Sequence, residues 1–265
     1  AKKTSAKSAK TRADLLLVDQ GLAETRERAQ ALIMEGVVYA PTGKVLKPGT
    51  ALPRDLPLEV RGRLPYVSRG GVKLAHALDR FGLEVSGLAA LDVGASTGGF
   101  TDCLLQRGAG LVYAMDVGHG QMHYRLRQDP RVVVIEGVNS RYDFDLPLNP
   151  AFGHPSPPGR RDGDEVVVDL ATIDVSFISA TKVIPSAARH LQQGSPLVVL
   201  LKPQFEALRG EVGRGGVIKD PALHARVLGR FIRWMVQAGF RLRDLTPSPI
   251  LGDAGNQEFF LLLET

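Results

Sequence analysis

The sequence predicts an α/β fold: a mostly parallel sheet covered by helices on both faces, preceded by a small α+β domain. Three observations carry this expectation. From Gly87 onward, short apolar runs alternate with glycine turns and helical patterns, the rhythm of a parallel sheet buried on both sides. Before residue 63, two helical patterns are followed only by short apolar pieces. The net charge of +5 also lies in this first quarter, where residues 1–63 hold 12 Lys/Arg against 7 Asp/Glu and residues 64–265 hold 21 of each. A lopsided basic segment points to a polyanion partner, most often nucleic acid. The plainer reading is a solubilising tail, since Lys2, Lys3, Lys7 and Lys10 supply four of the twelve.

Taken in order, residues 1–11 form a basic, low-complexity tail expected to be disordered. Residues 12–63 make the small domain. Leu15, Leu16 and Val18 begin a helix that breaks at Gly21. Thr25 is placed to cap a second helix, with Ala29, Leu32 and Ile33 at helical spacing and Gly36 as its stop. Apolar pieces over 37–39, 44–46 and 56–60 supply a small sheet. A linker over 64–71 then leads to a large domain over 72–265. Strands are expected there over 88–93, 111–116, 132–135, 166–175, 196–201, 240–246 and 257–263, and helices over 100–106, 179–191 and 221–238. The segment 149–165, rich in Pro, Gly and charge, reads as a surface insertion.

Several classes are excluded by composition. No run approaches the ~18 apolar residues of a spanning helix, and the N-terminal residues lack the apolar core of a secretory signal. A single cysteine, Cys103, excludes an internal disulfide framework and a thiolate-rich metal cluster. His119 and His123 lack a third ligand, so a surface turn explains them better than a metal site. The expectation is a cytoplasmic protein without a metal, a membrane or an obligate protein partner.

The candidate chemistry starts at Asp92-Val93-Gly94-Ala95-Ser96-Thr97-Gly98-Gly99-Phe100, where a strand meets a helix. Glycines there let backbone approach a ligand at the first crevice of the sheet. Asp92 ends the first strand and Asp116 the second, where a carboxylate can accept both ribose hydroxyls of an adenosine. The loop lacks the Gly-x-Gly-x-x-Gly pyrophosphate pattern and the Lys-Ser/Thr of a triphosphate site. An adenosine ligand without phosphates, S-adenosylmethionine, is the favoured reading over a generic nucleotide or a purely structural turn. Gly94-Ala95-Ser96-Thr97-Gly98 also matches a nucleophile elbow, but the last histidine, His224, falls in a helical pattern and no oxyanion loop precedes the strand.

Four charges, three of them at strand ends, stand where burial without a partner is rare. Asp174 closes the run 166–173, Lys202 closes 197–201, and Glu258 opens the last strand. Lys73 follows Ser68-Arg69-Gly70-Gly71 and is expected just before the first helix of the large domain. If the last strand runs antiparallel, all four border one crevice. Asp174-Val175-Ser176-Phe177 is a faint match to the Asp/Asn-Pro-Pro-Tyr/Phe signature of amine methyltransferases, but its prolines are missing. Cys103 as a methyl-accepting nucleophile is disfavoured by its place inside an amphipathic helix.

Beyond the residues themselves lies a resemblance. Residues 12–60, with Arg12-Ala13-Asp14-Leu15-Leu16-Leu17 and Arg26-Glu27-Arg28-Ala29-Gln30-Ala31-Leu32-Ile33, look like the RNA-binding module shared by a small-subunit ribosomal protein, pseudouridine synthases and bacterial tyrosyl-tRNA synthetases. Residues 66–265, with YVSRGGVKL, LDVGASTGGFTD, MDVGHGQ, IDVSFIS, LLKPQFE and NQEFF, resemble the FtsJ-type ribose methyltransferases. Together they resemble the TlyA family of rRNA 2′-O-methyltransferases, also catalogued as hemolysins. One departure is Tyr39-Ala40-Pro41-Thr42-Gly43 in place of the usual Val-x-Val-Asn-Gly turn.

The resemblance implies a Rossmann-like, S-adenosylmethionine-dependent sheet and methylation of cytidine in small-subunit, and in some members large-subunit, rRNA. It implies a catalytic tetrad of Lys73, Asp174, Lys202 and Glu258. Cofactor contacts are expected from Asp92, Gly94, Ser96, Gly98, Gly99, Phe100, Asp116 and Asn139, and RNA contacts from Arg12, Arg26, Arg28, Lys44 and Arg69. The ribose hydroxyl must lose its proton during attack. Lys202 is the expected activating group, with Lys73 and Glu258 orienting the ribose and Asp174 near the sulfonium. The rivals are a membrane-lytic protein, which needs a long exposed apolar or amphipathic segment, and a catalytically silent RNA-binding assembly factor.

Overall fold

The structure, a computed structural model, describes residues 10–34, 36–60, 65–147, 166–213, 215–252 and 255–265. The chain divides into two compact units, Ala1–Pro65 and Tyr66–Thr265.

In the small unit, β1 (Lys10–Arg12) leads directly into α1 (Ala13–Asp19), followed by α2 (Arg26–Met34), β2 (Val38–Ala40), β3 (Gly43–Lys44), β4 (Ala51–Pro53) and β5 (Glu59–Val60). Leu16 and Leu17 of α1, Ala29, Leu32 and Ile33 of α2, and Val38 of β2 form its core. Each fully buried Leu or Ile contributes roughly 1.5–3 kcal/mol. Thr25 caps α2, its Oγ1 accepting from Arg28 N at 3.1 Å. The expected tail is shorter than 1–11, because Lys10, Thr11 and Arg12 pair antiparallel with Pro53, Leu52 and Ala51. Neither strand has an apolar run to announce it; the ladder is made by backbone groups. Residues 1–9 lie outside the described residues.

In the large unit, α3 (Arg69–Phe81) precedes β6 (Ala89–Val93), α4 (Gly99–Gln106), β7 (Leu111–Asp116), α5 (Tyr124–Arg127), β8 (Val132–Glu136) and β9 (Leu170–Ile173). A 3-10 turn at Ala180–Lys182, α6 (Ile184–Ala188), β10 (Pro196–Leu201), α7 (Pro203–Glu206), α8 (Pro221–Gln237), β11 (Arg241–Pro247) and β12 (Phe259–Glu264) complete it. The seven strands are ordered β11-β12-β10-β9-β6-β7-β8. Strands β10, β9, β6, β7 and β8 are mutually parallel, and β12 runs antiparallel between β10 and β11. Successive strand residues alternate between two cores: Leu197, Val199 and Leu201 pack on the α6/α8 side, and Val198 and Leu200 on the α3/α4 side.

Three expectations are corrected here. Lys73 lies inside α3 rather than before it, because the helix starts at Arg69 and absorbs the end of the expected linker. The strand expected over 166–175 is confined to Leu170–Ile173, with Val168 making only an isolated bridge to Leu191 and the Asp169 side chain accepting from Ala89 N. The helix expected over 179–191 is broken into a 3-10 turn and α6, since Pro185 has no N–H to continue a preceding turn. The short helices α5 and α7 were not foreseen. The expected insertion over 149–165 lies outside the described residues.

Candidate active site

The strand order reverses between β6 and β9, the switch point where open α/β sheets bind ligands beyond their carboxyl edges. The glycine loop stands there. Gly94 has φ +85°, and a Cβ on it would strike the carbonyl oxygen of Asp174. Asp174 N in turn donates to Val93 O at 2.9 Å. Only glycine permits these two strand ends to lie so close. On the other side, Asp116 Oδ2 accepts from Ser96 N at 2.8 Å and Oδ1 from Gly118 N at 2.7 Å. Each oxygen keeps a second lone pair on a partly exposed side chain, which suits a pair of ribose hydroxyls. Ser96, exposed at φ +47°, also donates from Oγ to Gln121 at 3.2 Å.

Three residues expected to touch a cofactor have structural partners within the chain. Asp92 is fully buried, and its carboxylate accepts from Thr101 Oγ1 of α4 at 2.7 Å and Thr172 Oγ1 of β9 at 3.0 Å. It ties the loop to the sheet from beneath. Burial pushes its carboxyl up to about 7, against the pull of those two hydroxyls. Phe100 is buried against Phe260, with ring centroids 6.1 Å apart. Gly99 lets the first turn of α4 meet the first turn of α3: a Cβ there would collide with Ser68 and stand 2.9 Å from Gly71 N. Gly98 is buried beside Leu126, and Asn139 lies exposed beyond β8, its Oδ1 accepting from Arg141 N.

That contact between α3 and α4 sets Lys73 one turn into α3, where its Nζ donates to Glu258 Oε2 at 2.6 Å. Both side chains are buried. Glu258 immediately precedes β12, whose first residue Phe259 pairs with Leu201 at the end of β10. Lys202 follows Leu201, and its Nζ stands 2.6 Å from Asp174 Oδ1 and donates to Ser176 Oγ at 2.8 Å. The antiparallel direction of β12 therefore brings all four charges to one edge of the sheet. They form two ion pairs, Lys73–Glu258 and Lys202–Asp174, rather than two lysines set against each other.

Sequence reasoning missed three participants. Ser176 positions Lys202. Phe177, at φ +64°, is 91% exposed and tilts against Phe205 of α7, with centroids 5.2 Å apart. Glu206 accepts from Ser179 Oγ at 2.5 Å and Ala180 N at 2.7 Å, tying the segment after Asp174 to the helix after Lys202. Burial raises the Glu206 carboxyl above its ordinary range. The only signals were the IDVSFIS and LLKPQFE runs themselves, which hold these residues without assigning them a role; an exposed Phe in a tight turn has no periodicity to reveal it.

Of the RNA-contact candidates, Arg12 and Arg26 both reach Asp14, while Arg28 lies in α2, Lys44 is exposed on β3, and Arg69 opens α3 in the large unit. Cys103 is buried inside α4. His123 caps α5, its Nδ1 accepting from Arg125 N. No group of three potential metal ligands and no helix long and apolar enough to cross a membrane occurs among the described residues.

A family model described as FtsJ-like methyltransferase matches residues 66–265. The chain is 42% identical over 259 residues to the 16S/23S rRNA (cytidine-2′-O)-methyltransferase TlyA of Mycobacterium tuberculosis, covering 97% of this chain and 90% of that protein. It is 41% identical over 248 residues to Hemolysin A of Brachyspira hyodysenteriae, covering 94% and 97%. A solved Streptococcus thermophilus structure with a provisional hemolysin name aligns at a TM-score of 0.71 and 42% identity, covering 98% of this chain and 90% of that one.

Proposed function

The chain belongs to the FtsJ-like methyltransferase family, and from that premise we propose that the edge carrying Lys73, Asp174, Lys202 and Glu258 is its catalytic centre. The reaction is S-adenosylmethionine-dependent methylation of a cytidine 2′-oxygen in ribosomal RNA. A ribosomal RNA substrate sets that reaction in the cytoplasm, on ribosomal subunits or their precursors. The observation that carries the site assignment is the set of two ion pairs beside the switch-point loop, Lys73–Glu258 buried and Lys202–Asp174 half-buried. Ion pairs withdrawn from water generally contribute less stability than apolar residues of the same volume, so a fold alone gives little reason to keep both at one edge.

Asp116 and the Gly94–Gly98 turn suit the adenosine end of the cofactor, with hydrogen-bond acceptors and close backbone but no phosphate cradle. When bound, S-adenosylmethionine supplies an electrophilic methyl carbon on a sulfonium. Lys202 Nζ contacts the 2′-hydroxyl and takes its proton as attack begins, having first passed a proton of its own to Asp174 or to water, while Asp174 and Ser176 fix where Nζ stands. Lys73 and Glu258, locked together, orient the ribose. Holding oxygen, methyl and sulfur in line supplies much of the remaining acceleration. Phe177 offers a bare aromatic face on which a base can stack. The small unit, with Arg12, Arg26, Arg28 and Lys44, docks the RNA.

The test is incubation of purified ribosomal subunits with methyl-labelled S-adenosylmethionine, followed by nuclease digestion and mass spectrometry. Label in 2′-O-methylcytidine is the expected result. Label on a base, or none on either subunit, would refute the assignment. Leakage of dye from liposomes at the same protein concentration would favour the lytic reading instead.

A further inference from the structure

The small unit contains a charge arrangement that methyl transfer does not use. Asp14, in the first turn of α1, is fully buried, with 0% of its surface in water. Its carboxylate accepts Arg12 Nε at 2.9 Å and Arg12 Nη2 at 2.8 Å, Arg26 Nε at 3.1 Å, Gln30 Nε2 at 2.9 Å and the backbone N–H of Leu15 at 3.0 Å. Arg12 comes from β1 and Arg26 from the start of α2, so one buried carboxylate draws together two guanidiniums from separate elements. Both arginine side chains remain about half exposed.

We infer that Asp14 is a positioning residue that builds a two-guanidinium fork for an RNA phosphodiester, an inference that rests on the small unit docking RNA. Four points support it. The cluster keeps a net charge of +1, two guanidiniums against one carboxylate. Asp14 takes two of the five N–H groups of Arg12 and one of the five of Arg26, and a guanidinium fork matches phosphate oxygens bidentately. The turn at 47–50 is bonded to the start of α1, with Ala13 N donating to Thr50 O and Asp14 N to Pro48 O. It approaches Arg12 Nη1 with bare backbone, since a Cβ on Gly49 would stand only 3.4 Å away. Finally, the Arg12 hydrogen bond leads the effects that hold the Asp14 carboxyl far below the usual carboxylate range, so the fork persists at any physiological pH. Arginines fixed before binding lose less side-chain freedom when they meet a phosphate.

Asp14→Asn distinguishes this from simple charge attraction. The substitution raises the net charge by one, so charge counting expects equal or tighter RNA binding. The fork expects binding about tenfold weaker, the scale of one lost charge-assisted hydrogen bond. The full-length chain is titrated with purified 30S and 50S ribosomal subunits along a salt series, beside thermal melts and cofactor titrations. A folded variant with loosened arginines keeps its charges and therefore its salt slope, whereas an unfolded small unit loses phosphate contacts and flattens it. Weaker binding with native melting and an unchanged slope supports the fork. Native-like Asp14→Asn that binds as tightly as wild type, or more tightly, overturns it. If Asp14→Asn does not fold, Arg26→Lys decides, because it keeps the charge and the Arg12–Asp14 pair; wild-type affinity there overturns the fork, and several-fold weaker binding supports it. A double Arg12→Ala/Arg26→Ala variant that binds like wild type instead removes the underlying reading of the small unit as the docking surface.

Discussion

Replacing Lys202 with alanine separates the chemical step from binding. In the native site Lys202 Nζ stands 2.6 Å from Asp174 and donates to Ser176 at 2.8 Å. Its removal deletes the group assigned to the 2′-hydroxyl, and a positioned proton-transfer group contributes ~10²–10⁴-fold in rate. At ~1.36 kcal/mol per tenfold, that is about 3–5 kcal/mol on the barrier. The same change strands Asp174, whose side chain is 20% exposed. Leaving a partly buried carboxylate without its charge partner costs ~1–3 kcal/mol, and water at the exposed part of Asp174 keeps the loss near the lower end. Against a fold stability of roughly 5–15 kcal/mol, the variant stays folded, its melt lowered by several degrees at ~2–4 °C per kcal/mol. The assay is single-turnover transfer of labelled methyl to ribosomal subunits, with cofactor affinity measured by calorimetry. At least a hundredfold slower transfer with near-native cofactor affinity is expected. Lys202→Arg should be equally slow, because guanidinium keeps its proton. Near wild-type transfer by Lys202→Arg refutes the assignment. So does cofactor affinity that falls in step with the rate, for then Lys202 is a binding group.

Asp116→Ala should weaken cofactor binding ten- to hundredfold, the scale of ~1.5–3 kcal/mol for a charge-assisted acceptor; wild-type affinity by calorimetry would place the cofactor elsewhere. Asp92 makes stability depend on pH in an unusual direction. With its carboxyl raised to about 7, the native state holds a proton that the unfolded chain has released between about pH 4 and 7, so stability falls as pH rises through that window. Asp92→Asn, neutral throughout, should flatten this part of the denaturation profile, and a profile identical to wild type would dismiss the buried-proton account. The Cys103 thiol, pushed up to about 11 chiefly by burial, should resist Ellman's reagent at pH 8 until the protein is denatured. Rapid labelling of the native protein would show that the α3/α4 side of the sheet opens.

The sheet was legible in the sequence because its strands are bounded by glycine turns and filled with apolar runs. Leu111–Asp116 and Pro196–Leu201 have the bounds the pattern gives. What failed were elements held by something other than apolar periodicity. β1 and β4 are made by backbone pairing, and α6 is cut short by one proline. The four charges of the candidate site were legible as residues but not as an arrangement. Strand-end position marks Asp174, Lys202 and Glu258, whereas their pairing depends on β12 running antiparallel, which periodicity alone does not fix. Asp92 shows the limit from the other side. It occupies the α3/α4 face of β6, alternating with Leu91 and Val93 on the opposite face. A carboxylate among such neighbours needs hydroxyl partners, and Thr101 and Thr172 are nine and eighty residues away.

The pairing has a chemical consequence. Two lysines close together without partners would set a local charge of +2 where a sulfonium cation has to come to rest, and in a poorly hydrated crevice such repulsion is large. Glu258 and Asp174 cancel that charge pair by pair. The edge can then receive a cation while still presenting Nζ groups to the ribose. The buried pair, Lys73–Glu258, is the more rigid partner because both side chains are shielded from water. Lys202–Asp174 is the more open one, with 12% and 20% of the side chains exposed and Ser176 as a further acceptor. A group that must exchange a proton is better placed in the open pair, and a group that must hold a ribose still is better placed in the closed one. On the proposed reaction, the difference between the two pairs gives the two lysines different work even though their residue type is the same.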